Sequence, residues 1–125
     1  MILGIGTDLC KISRIEKALQ NPRFLERVYT EAERDRLTGL CAGRAAERAA
    51  GMFAAKEAVA KALGSGFRRF GMADVEVLAD PAGRPFVALH GEAGALGRGA
   101  RFWISVTHED GMAQAFAVME SEDAR

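Results

Sequence analysis

The stretch Gly51–Gly66, "GMFAAKEAVAKALGSG", reads as an alanine-rich helix stopped by glycine, yet it carries Lys56, Glu57 and Lys61 in an otherwise apolar run. With successive residues about 100° apart, Met52, Val59 and Leu63 share one stripe, the predicted core ridge. Glu57 and Lys61 fall nearly opposite, with Ala50 and Ala54 on their strip and Phe53 and Ala60 beside it. On a solvated face they would be an i,i+4 ion pair contributing roughly 0.2–0.5 kcal/mol. Solvated faces carry several polar residues, however, and this strip offers alanines and a phenylalanine. A helix apolar all round is buried. Small neighbours leave room for a ligand at the Glu57 carboxylate.

The helix is predicted from about Arg44, after Gly43, to Leu63, with "GSG" as its stop. Upstream, "MILGIGTDL" reads as a strand whose glycines mark a close backbone approach. Lys11–Gln20 places Ile12, Ile15 and Leu19 at helical spacing, and Asn21-Pro22 ends that helix. "PRFLERVY" makes a short turn or helix, and Thr30 with Glu33 forms a capping box opening a helix toward Leu40. Downstream the period switches to two. "DVEVLAD" and "PFVALHG" are strands around the turn "PAGR", and "RFWISVT" and "MAQAFAVME" are strands around "HEDG". "EAGALGRG" between the hairpins is a short helix or loop, and the terminal "SEDAR" is expected to fray. This order predicts an α+β class, an antiparallel sheet packed against a long central helix, with residues 1–125 as a single domain.

Hydrophobic residues at 49% and charged residues at 27% are those of a soluble globular protein. The 17 basic and 17 acidic residues balance, so no whole-molecule field draws the chain to nucleic acid or to a membrane. Cys10 and Cys41 are too few for a disulfide framework, and "MILGIGTDLC" lacks the basic start of a signal peptide. The expectation is reduced thiols in a cytoplasmic protein.

Asp8 ends the first predicted strand, just past "GIG". Alone it reads as a cap for the helix beginning near Lys11. With Glu57 it reads as one of two converging carboxylates, a donor set suited to magnesium, which keeps waters and takes further ligands from substrate phosphates. Lys61 would neutralise phosphate charge, and Gly64, Ser65 and Gly66 offer unhindered amides. Together these residues point to phosphoryl or phosphopantetheinyl transfer.

At this point "GIGTDLCKISRI", "AGMFAAKEAVAKALGSG", "DPAGRPFVALHGEA" and "ISVTHEDGMAQAFAVME" together resemble the successive motifs of the holo-[acyl-carrier-protein] synthases, over nearly the whole chain. The resemblance implies an enzyme that moves 4'-phosphopantetheine from coenzyme A to a serine of apo acyl carrier protein in fatty-acid biosynthesis. It places magnesium on Asp8 and Glu57 and a phosphate on Lys61, which would stabilise or protonate the leaving group. The serine proton goes to Glu57, to a water or to His108. It puts Arg44, Lys61, Gly64, Ser65, Gly66 and His108 at the coenzyme, and Arg14 and Arg23 at the acidic carrier protein, where the local run of basic residues adds Arg27. It further implies a homotrimer with active sites between subunits. Lys11, Arg14 and Lys17 recur at three-residue spacing on the first helix, although Glu16 and Glu26 interrupt the basic character. His90 matches no motif and is read as structural. The family commonly has arginine where this chain has Met52, which removes one phosphate contact that Arg44 or Arg48 would have to replace. The alternative is a non-catalytic module on the same scaffold, binding carrier protein or nucleotide.

Overall fold

The chain's alanines gather on one helix. In the computed structural model, which describes residues 1–122, α4 (Ala42–Leu63) buries Ala46, Ala49, Ala50, Ala54, Ala55, Ala58, Ala60 and Ala62. The helix is enclosed on more than the predicted ridge, since Phe53 and Ala60 are as buried as Met52 and Val59. Gly64, at φ 89°, terminates it in the left-handed conformation that glycine adopts without strain.

Around α4 the order is β1 (Ile2–Lys11), α1 (Ile12–Ala18), α2 (Pro22–Val28), α3 (Glu31–Asp35), then after it β2 (Val75–Ala79), β3 (Pro85–Leu89), α5 (Gly91–Leu96), β4 (Ala100–Glu109) and β5 (Met112–Ser121). The antiparallel pairing is divided between two sheets: three strands ordered β1-β5-β4, and the separate hairpin β2-β3. The three-stranded sheet lies against α4. At its hairpin tip Asp110 and Gly111 both take positive φ, 55° and 78°, the geometry of a twist-matched two-residue turn. Asp80 shapes the other tip, its Oδ1 accepting from the amides of Ala82 and Arg84 at 2.9 Å each.

The inward positions of the sheet are small. β5 presents Ala113, Ala115 and Ala117, and β1 presents Gly4 and Gly6. A Cβ on Gly6 would stand 2.0 Å from the Ala58 carbonyl oxygen, and one on Gly4 2.1 Å from that of Ala62. Backbone therefore packs on backbone, as the glycine spacing predicts.

Several boundaries differ from the sequence reading. β1 continues past Asp8 to Lys11, and Lys11 occupies the N-cap of α1 without a side-chain bond. Asp8 is thus a strand residue and not a helix cap. The capping box of α3 is present in both directions, but the helix stops at Asp35 instead of reaching Leu40, and Gly39 at φ 85° turns the chain toward α4. Ser121 and Glu122 are tied down, their amides donating to Met1 O at 2.8 Å and Gly99 O at 2.9 Å. The rest of the expected frayed segment, residues 123–125, lies outside the described residues.

The third charge of the central helix is buried. Lys56 Nζ donates to Glu33 Oε1 at 2.8 Å, Val75 O at 2.6 Å and Met72 O at 3.0 Å, so each ammonium hydrogen has an acceptor. Glu33 in turn accepts from the Thr30 amide at 2.8 Å and the Val77 amide at 2.7 Å. Both side chains have 0% exposure. Burial draws the ammonium below the usual lysine range while Glu33 works the other way. This pair joins α3, α4 and β2.

Gly6→Ala should separate β1 from α4, because the clash is with a main-chain oxygen that cannot rotate away. Urea denaturation is expected to show a loss of at least about 2 kcal/mol. Gly43→Ala, where an added Cβ meets nothing within 4 Å, should be neutral or slightly stabilising.

Candidate active site

The approach of β1 to α4 carries Asp8 to the helix. Asp8 shares the inward face of its strand with Gly4, Gly6 and Cys10, and its side chain is 19% exposed. Lys61, in the last turn of α4, reaches back across the gap: Nζ donates to Thr7 O at 2.8 Å and stands 3.4 Å from Asp8 Oδ1. Glu57 sits half-buried one turn earlier. Burial pushes its carboxyl above the usual glutamate range and the Asp8 charge adds to this, while Lys61 and Arg14 oppose it. The two carboxylates and the lysine converge, and Arg14, from α1, completes the set. Cys10 beneath them is inert: burial raises its thiol, and Sγ donates to Ala50 O at 3.5 Å.

Among the described residues no group of three or more His, Cys, Asp or Glu side chains could hold a metal. Two carboxylates do not make a closed protein cage. They do fit a hard cation that completes its shell with water and substrate oxygens. Such a cation would offset the burial and the Asp8 charge that raise the Glu57 carboxyl.

Beyond Lys61 the chain alternates hand. Gly64 (φ 89°) is left-handed, Ser65 (φ −106°, ψ −15°) right-handed and Gly66 (φ 60°) left-handed again. The Gly64 amide donates to Lys61 O at 3.0 Å, so of the three predicted loop residues it is not free for a ligand; Ser65 and Gly66 keep the alternating conformation found in anion-binding turns. Added Cβ atoms on Gly64 or Gly66 would meet nothing within 4 Å, so no neighbouring side chain crowds the loop.

The remaining predicted coenzyme residues lie elsewhere. Arg44 and His108 line a cleft of about 370 Å³, together with Arg36, Arg48, Met52 and Val106. Arg44 and Lys61 are separated by 17 residues of one helix, about 25 Å at the α-helical rise. The structure thus gathers Asp8, Glu57, Lys61 and the glycine loop at one end of α4, and Arg44 with His108 at the other. Arg14, Arg23 and Arg27 are exposed on α1 and α2 and make no ion pair among the described residues. His90 is structural in its contacts, Nε2 lying 2.9 Å from Glu76 Oε1.

Met52 is 3% exposed and forms part of the cleft wall. Arg48, one turn before it, enters the same cleft and donates to Arg36 O at 2.9 Å. Burial and the neighbouring Arg48 charge pull the Arg36 guanidinium below its usual range. Arg36 was not singled out in the sequence, and no local spacing marks it. The arginine absent at position 52 leaves the cleft basic.

The chain belongs to the 4'-phosphopantetheinyl transferase superfamily, whose family profile matches residues 4–118. Within it the similar relatives are holo-[acyl-carrier-protein] synthases. That of Clostridium perfringens (strain 13 / Type A) is 40% identical, covering 98% of this chain and 96% of the relative. That of Clostridium botulinum (strain Alaska E43 / Type E3) is 44% identical, covering 96% and 98%. The crystal structure of a holo-(acyl-carrier-protein) synthase from Bacillus anthracis str. Ames, in complex with CoA (3',5'-ADP), superposes with a TM-score of 0.84 at 38% identity, covering 97% of this chain and 98% of that one.

The raised Glu57 carboxyl sets a sign for pH dependence. The folded chain holds that proton to higher pH than the unfolded chain, so this group lowers wild-type stability as pH rises through the ordinary glutamate range to the raised value. Glu57→Gln should therefore melt above the wild type at pH 7. The gap should close below about pH 4, where the carboxyl is protonated in both states. The same variant should lose turnover.

Proposed function

We infer that this chain transfers the 4'-phosphopantetheine arm of coenzyme A to the serine hydroxyl of apo acyl carrier protein, releasing adenosine 3',5'-bisphosphate. The observation that carries the reading is the half-buried Glu57, its carboxyl raised beside Asp8 and within reach of the Lys61 charge. Glu57, directly or through a water, serves as acceptor of the serine proton as the oxygen closes on phosphorus. The phosphorus–oxygen bond to the adenosine 5'-phosphate breaks as the new ester forms. Lys61 meets the charge that gathers on the leaving phosphate, and the Ser65 and Gly66 amides hold the non-bridging oxygens. Asp8 and Glu57 are the residues that would hold magnesium, which supplies further neutralisation of the diphosphate when bound.

The basic cleft of Arg36, Arg44, Arg48 and His108 suits the adenosine phosphate, but it lies at the far end of α4 from the carboxylates. A second copy of the chain resolves this. The outward face of the three-stranded sheet leaves Ile5 60%, Leu9 60%, Trp103 48% and Phe116 45% exposed, a contiguous apolar surface of the kind monomers rarely show. We assign this face to a homotrimer contact that sets the Arg44 cleft of one protomer beside the Glu57 site of the next. Arg14 borders that site, and with Arg23 and Arg27 it forms the basic edge for an acidic carrier protein, acting mainly on association rate. A cytoplasmic location agrees with the two free cysteines.

Mass spectrometry of apo acyl carrier protein incubated with the chain, coenzyme A and magnesium should show addition of one phosphopantetheine. Chelation should stop it and magnesium should restore it. An unmodified carrier at saturating coenzyme A and magnesium would refute the assignment.

Co-expression of Glu57→Gln with the double variant Arg44→Ala/His108→Ala tests the shared site separately. Mixed assemblies should regain a substantial part of the activity that each variant lacks alone. No recovery would place the whole site on one chain.

A further inference from the structure

The glycine loop lies at the wrong pole of its helix for an anion. The C-terminus of α4 presents free carbonyls and about half a negative charge, so a phosphate there needs nearby cations. Lys61 is one, but its ammonium already engages Thr7 O and Asp8. Two adjacent arginines follow the loop, and they differ. Arg69 is ion-paired with Glu92. Arg68 is exposed, donates Nε to the Ser65 carbonyl at 3.2 Å, and has no carboxylate partner among the described residues. Phe67 and Phe70 pack edge to face at 5.4 Å, with Phe70 buried, which anchors the segment on either side of Arg68.

We propose that Arg68 is a phosphate-binding residue of this loop, the second cation for the diphosphate of coenzyme A. This rests on the loop being the coenzyme's phosphate site, as argued above. A guanidinium fixed through Nε keeps its two terminal amino groups for a ligand, in a planar fork that matches phosphate oxygens. The bond to Ser65 O holds that fork beside the outward-turned amides. It also covers a carbonyl whose negative end would otherwise face the anion. The two cations divide the work. Lys61, at the carboxylates, meets charge that develops during transfer, whereas Arg68 binds charge already present in the substrate. Binding that is equal in ground and transition states appears in KM and not in kcat.

Steady-state kinetics of Arg68→Ala, Arg68→Lys and Arg69→Ala, with thermal melts of each, test this. Arg68→Ala should raise the KM for coenzyme A about tenfold, the size of one exposed charge-assisted hydrogen bond, with a smaller change in kcat and none in the KM for the carrier protein. Arg68→Lys, which keeps the charge but loses the planar, tethered fork, should recover only part of that loss. Arg69→Ala should match the wild type. An Arg68→Ala enzyme with an unchanged KM for coenzyme A would overturn the proposal while leaving the transferase reading intact. Equal losses in Arg68→Lys and Arg68→Ala with equal falls in melting temperature would also overturn it, since a tether to Ser65 would then be the whole role. Should Arg68→Ala fail to fold, Arg68→Gln and Arg68→Lys compared by coenzyme A calorimetry decide the same point. A wild-type chain that does not modify the carrier overturns both readings.

Discussion

Two glycines on one strand set the position of everything chemical in this molecule. At Gly4 and Gly6 the main chain of β1 lies against the main chain of α4, closer than any side chain would permit. Asp8 follows Gly6 by two residues and so faces the same way, while Glu57 and Lys61 flank Ala58, whose carbonyl Gly6 meets. The carboxylate–lysine cluster is thus a product of main-chain contact. Changes elsewhere in the alanine-rich core would alter stability before they altered the spacing of these groups.

That contact also explains why the site is electrostatically uncomfortable. The Glu57 carboxyl is half-buried there, and burial first and the Asp8 charge second raise it, while Lys61 and Arg14 work the other way. Active sites are where such arrangements persist. The opposite strategy appears one residue earlier, at Lys56, where an equally charged group is taken fully inside and given an acceptor for every proton. One charge is silenced and its neighbour is kept reactive.

Much of this was legible in the sequence because it depends on neighbours along the chain. The Gly4–Gly6 spacing, the Thr30–Glu33 box and the two hairpin turns are local patterns, and each forms as its residues predict. What was not legible depends on pairs that only folding brings together. Lys56 meets Glu33 across 23 residues, and nothing near either one announces the other. Arg36 enters the cleft because α3 stops early, a length set by Gly39 and the turn toward α4. The wheel of α4 separated two faces correctly in direction but not in burial, because the short helices and β2 cover what the sheet does not. Arg44 and Lys61 share a motif-bearing helix, yet its length keeps them from sharing one phosphate.

The buried ammonium has a mechanical consequence. Its three acceptors come from α3, β2 and the segment between α4 and β2, so they grip α4 from several directions and fix its rotation about its own axis. A helix clamped in this way cannot roll to hide Glu57. Switching the enzyme off by twisting its central element is closed to this fold.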